Sequence, residues 1–65
     1  MRLDETVTVE CTDTDQTLQG QVVRLHGDRV DVMVQGMVLN LRQTKPGLYV
    51  GNRSGMEFVV RSRRA

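Results

Sequence analysis

Val22-Val23-Arg24-Leu25-His26-Gly27-Asp28-Arg29-Val30-Asp31-Val32-Met33-Val34-Gln35-Gly36-Met37-Val38-Leu39-Asn40-Leu41-Arg42 is the stretch that decides the fold of this chain. Apolar residues alternate through much of it, the period of a half-buried strand. It also holds two dipeptides suited to two-residue hairpin loops, Gly27-Asp28 and Gln35-Gly36. Each loop sets a register. Around the first, His26 faces Arg29, Leu25 faces Val30, Arg24 faces Asp31 and Val23 faces Val32. Around the second, Val34 faces Met37, Met33 faces Val38, Val32 faces Leu39, Asp31 faces Asn40, Val30 faces Leu41 and Arg29 faces Arg42. The two registers agree on one apolar face, made of Val23, Leu25, Val30, Val32, Val34, Met37, Leu39 and Leu41. Opposite charges at Arg24 and Asp31 support the pairing.

The other face of this unit is expected to carry three rows. Val22, Met33 and Val38 form an apolar row, Arg24, Asp31 and Asn40 a polar one, and His26, Arg29 and Arg42 a basic one. Leu18, Gly20 and Val22 are out of phase with Val23 and Leu25. A bulge near Gly20 to Val22 reconciles the two sets, and bulged strands bend enough to curl a short meander into a barrel.

The same signals extend outward. Thr6–Cys11 alternates, as do Met56, Phe58 and Val60 with Glu57, Val59 and Arg61. Valine occurs eleven times and threonine six, types that fit pleated, half-buried surfaces. No window shows a sustained helical pattern. Lys45-Pro46-Gly47-Leu48 suits a type II turn, Gly51-Asn52-Arg53-Ser54-Gly55 a longer hairpin loop, and Asp13-Thr14-Asp15-Gln16 a polar turn. The expectation is an all-β domain over residues 1–60. It is an antiparallel meander of five to six short strands, curled into a small SH3-like or OB-like barrel. A basic tail, 61–65, is expected to be flexible.

A domain of 65 residues gains only about 3–5 kcal/mol from one core and usually needs a staple or a partner. One Cys and one His supply neither a disulfide nor the four ligands of a structural zinc site. No metal and no cofactor is expected. Tyr49 and Phe58 are the only aromatic residues. This energetic shortfall is the first motive for expecting a homodimer or another protein partner. The longest apolar runs, Met37-Val38-Leu39 and Phe58-Val59-Val60 among them, are three residues long, far shorter than a membrane span or signal core. A cytoplasmic, non-membrane protein is therefore expected.

No constellation of residue types in the chain makes a catalytic site. Cys11 and His26 are the types for a nucleophile and its base, but the meander places them at opposite ends of a strand. Cys11 reads more simply as a small core residue continuing Val7 and Val9. Asp13-Thr14-Asp15 does not begin a calcium loop, because Leu18 and Arg24 stand where Gly and Glu are required. With no paired carboxylates beside a supporting base, a non-enzyme is expected.

Charge is the uneven feature. Residues 1–15 carry a net −4, residues 16–41 zero, and residues 42–65 a net +5. Eight of the nine cations are Arg, the type suited to bidentate anion recognition. Two readings follow. One is a non-catalytic, self-associating interaction module whose contact is the apolar row Val22, Met33 and Val38, joined by Tyr49 and Val59. The alternative is RNA or DNA binding through His26, Arg29, Arg42, Arg61, Arg63 and Arg64. A third arrangement of the charge is internal: the acidic first strand pairs with the basic last one.

Overall fold

The computed structural model describes residues 1–61. It contains six strands: β1 Thr6–Cys11, β2 Gln16–His26, β3 Arg29–Val34, β4 Met37–Lys45, β5 Leu48–Arg53 and β6 Met56–Arg61. Each strand pairs antiparallel with its neighbours in the chain, and β6 returns to pair with β1, closing a barrel. The order is a strict up-and-down meander, without the Greek-key connection of an OB barrel. No helix is present among the described residues.

Two long strands make closure possible. The first half of β2 pairs with β1, from Cys11↔Gln16 to Thr6↔Gln21, and its second half pairs with β3. In β4, Met37 to Arg42 pair with β3 and Arg42 to Lys45 with β5. A register shift accompanies each change of partner, between Val22 and Arg24 in β2 and between Gln43 and Lys45 in β4. An extra residue bends and twists a strand, so each long strand turns a corner as it passes from one neighbour to the next.

The β2 shift corrects the expected register at one end. His26↔Arg29, Leu25↔Val30 and Arg24↔Asp31 form as expected, but Val32 faces Val22 and not Val23. Val23 is the inserted residue. Val22 is therefore fully buried while Val23 is 40% exposed. Leu25 keeps its pairing with buried Val30, yet it too is 40% exposed. It sits next to the Gly27-Asp28 loop, where the strand runs past the end of the filled interior. The β3–β4 register follows the sequence pattern throughout, from Arg29↔Arg42 to Val34↔Met37.

Val9, Cys11, Val22, Val30, Val32, Val34, Leu39, Leu41, Phe58 and Val60 fill the interior. Met1, Val7, Leu18, Tyr49 and Met56 pack against them. No polar or charged residue is buried among the described residues. Two strand glycines make room inside. A Cβ on Gly20 would lie 2.5 Å from Val32 Cγ1 and 2.8 Å from Val34 Cγ2. One on Gly51 would collide with the backbone oxygen of Asn40, which marks how closely β5 crosses β4.

The loops are tighter than expected in one place. Strand β5 continues through Gly51 to Arg53, so the β5–β6 connection is the dipeptide Ser54-Gly55 alone, with φ of 54° and 77°. Gln35-Gly36 has φ of 49° and 80°. Two successive positive φ values give the primed turn whose twist matches the flanking strands, so pairing continues up to the loop. Gly47 has φ 79°, as a type II turn after Pro46 requires.

Candidate interaction surface

The barrel has two ends. One carries Cys11, the Gln35-Gly36 loop and the Ser54-Gly55 loop. The other carries the Gly27-Asp28 loop, the Pro46-Gly47 turn and the start of β1. Cys11 pairs with Gln16 at one extreme of β2, and His26 ends β2 at the other. The length of the barrel separates the thiol from the imidazole, as the sequence pattern implies.

The outer face near the His26 end brings the basic row together. His26 faces Arg29, and Arg29 faces Arg42, on three adjacent strands. All three side chains are exposed. Asp28 relieves the repulsion between the two arginines, with Oδ2 3.5 Å from Arg42 Nε. The Gln43 amide donates to the Asp28 carbonyl at 2.7 Å, tying this loop to β4. In the middle row, the Asn40 amide donates to Asp31 at 2.8 Å.

Arg61 belongs to β6 and pairs with Glu10 of β1. One contact of the charge asymmetry is thus internal to the barrel, the pair between Glu10 of β1 and Arg61 of β6. The seam is reinforced at its other end. Thr12 Oγ1 donates to Glu57 Oε1 at 2.8 Å, and the Glu57 amide donates to Asp13 Oδ2 at 2.7 Å. Asp13 is therefore a clamp on β6. Arg63 and Arg64 lie outside the described residues.

The apolar row is partly dispersed. Val22, expected on the outer face, is interior because the inserted residue is Val23. Tyr49 faces fully buried Val60 across the β5–β6 pair and packs against the core from within. Val59 is buried between its partners Glu10 and Val50, beside the Glu10–Arg61 pair. Met33 and Val38 remain as facing neighbours on the outer side, with Met33 37% exposed. Sequence reasoning missed Val23, which replaces Val22 at the surface, and Leu3, which is 58% exposed. Leu3 lies in a segment held to β2 at Val22 by Asp4 N–H···O and by Val22 N–H donating to the Glu5 carbonyl. The out-of-phase valines were the available signal for Val23. Leu3 had none, being outside any alternating run.

A cavity of about 580 Å³ opens at the Cys11 end. Its lining includes Cys11, Leu18, Met37, Met56 and Phe58, with Thr14 and Gln35 among the polar residues. No group of three or more His, Cys, Asp or Glu side chains is placed to hold a metal ion among the described residues. No protein-family model, curated protein or solved structure matches the chain.

Proposed function

We propose that this barrel is a non-catalytic interaction module that self-associates through the outer face of β2 and β3. One observation carries the reading. The exposed large hydrophobic residues Val23 and Met33 lie on this strand pair, and Leu3 lies on the segment bonded to it, while Leu25, in register with buried Val30, opens at the His26 end of the interior. Apolar side chains gathered on one side of a small protein mark a contact surface more often than scattered ones do. Because the described strands form a closed ring, the contact is made by side chains and not by strand addition. The small core, built mainly of valine and leucine, favours the same reading, since covering the exposed apolar residues in a dimer would add to the little stability such a core supplies. Sedimentation over a range of concentrations tests it. The native chain is expected to show a concentration-dependent dimer that Met33→Lys or Val23→Lys abolishes. A strict monomer at every concentration overturns the proposal.

The alternative reading, RNA or DNA binding, rests on His26, Arg29 and Arg42 standing in successive register on one exposed face. Arg63 and Arg64 would add to it, whereas Arg61 already has Glu10. Binding to mixed oligonucleotides would then weaken steeply with salt and fall in Arg29→Ala. Binding indifferent to salt, or to that substitution, removes this reading.

A further inference from the structure

We propose that the Cys11 end of the barrel is a soft-metal site that takes one Cu(I) ion. The chain holds five sulfur-bearing residues, four Met and one Cys. Three of them, Cys11, Met37 and Met56, line the cavity at this end. Cys11 Sγ donates a weak hydrogen bond to Met56 Sδ across 3.9 Å. Two sulfurs bound to one metal at about 2.3 Å each, with a trigonal angle between them, stand about 4 Å apart. The native spacing therefore admits a shared ion with little rearrangement.

The donor set selects the metal. Thiolate and thioether sulfur are soft ligands that favour Cu(I), whereas zinc takes thiolate, imidazole or carboxylate. The only imidazole, His26, is at the opposite end of the barrel, and the polar residues named on this cavity, Thr14 and Gln35, are neutral. Methionine has the flexibility to bring a third sulfur into place, and Met37 is only partly buried. Binding replaces the Cys11 S–H bond by a sulfur–copper bond and releases the proton to solvent. The copper stays Cu(I), so no electron is transferred. The site is separate from the outer face of β2 and β3 and does not depend on self-association.

The test is an anaerobic titration of the full chain with Cu(I), in competition with the chromophoric chelator bicinchoninate. It is paired with carbon–proton spectra of protein labelled at the methionine methyls, with Ag(I) as a redox-inert probe. The expected result is a one-to-one complex in which the Met37 and Met56 methyl signals move and that of outward-facing Met33 does not. Met56→Leu and Met37→Leu keep side-chain volume nearly constant and are expected to weaken binding tenfold or more. Cys11→Ser is expected to abolish it, and if that variant fails to fold, Met56→Leu decides alone. The proposal is overturned if the chelator keeps all the copper, if Met56→Leu binds as tightly as the native chain, or if Met33 moves with the other two.

Discussion

Strands β2 and β3 lie side by side and behave differently. Strand β3 alternates without interruption: Val30, Val32 and Val34 point inward, and its register with β4 never slips. Strand β2 has two partners in succession and must bend between them, so its alternation breaks at Val23. A straight strand needs only a two-residue rhythm. A strand that turns a barrel corner needs that rhythm interrupted by one residue, with a glycine inside the bend. Here the glycine is Gly20, three residues before the interruption.

The sharpest way to break this comparison is to charge the two adjacent valines of β2 in turn. Val22→Lys places an ammonium in a fully apolar interior with no partner, at a cost that exceeds the ~3–5 kcal/mol available to a core of this size. The variant is expected to be unfolded by circular dichroism at room temperature. Val23→Lys changes an exposed side chain and is expected to shift monomer stability by no more than about 0.5 kcal/mol in urea unfolding. Equal effects at the two positions would show that no residue is inserted at Val23.

Gly20→Ala comes next in size. Its new methyl meets the side chains of Val32 and Val34, both fully buried, so the neighbours must shift within a packed interior. Overpacking of this kind costs about 1–3 kcal/mol. The combination with Val32→Ala, which removes one of the clashing methyls, is expected to cost less than the sum of the two single changes. Additive costs would show that Gly20 does not serve to admit Val32.

Much of the fold is legible from local pattern. The dipeptides at 27–28 and 35–36 imply two registers, and all but one of the pairs derived from them form. The exception follows from the bend, because Leu18, Gly20 and Val22 imply an inserted residue nearby without saying which residue it is. Closure of β1 on β6 is less legible, since Val9 and Val60 are far apart in the chain and no turn relates them. The −4 and +5 ends hinted at that pairing through Glu10 and Arg61. The candidate surface was the least legible part. Val22 and Val23 exchange roles with one slip, and Tyr49 is drawn inward by its partner Val60. Sequence alone cannot rank such neighbours, because burial depends on which strand lies opposite.

A smaller effect is expected in the regular half. Gln35 holds φ 49° in the turn between β3 and β4, where a side chain other than Gly, Asn or Asp is strained. Gln35→Asn gives the favoured Asn-Gly pair and is expected to stabilise the barrel by up to about 1 kcal/mol, read as a higher urea midpoint with an unchanged slope. A lower midpoint would show that Gln35 makes a compensating interaction.

The smallest effect concerns the seam on which both halves depend. Glu10 and Arg61 pair across β1 and β6 on the outer face, and both side chains are substantially exposed. Exposed pairs of this kind contribute about 0.2–1 kcal/mol and weaken as salt rises. A double-mutant cycle of Glu10→Gln and Arg61→Gln is expected to give a coupling in that range at low ionic strength, shrinking toward zero in molar salt. The seam does not rest on this pair, because Val9↔Val60 and Cys11↔Phe58 join the same strands through buried side chains. The double variant should therefore remain a folded barrel. A coupling well above 1 kcal/mol, or unfolding of the double variant, would mean that charge and not apolar packing closes the ring.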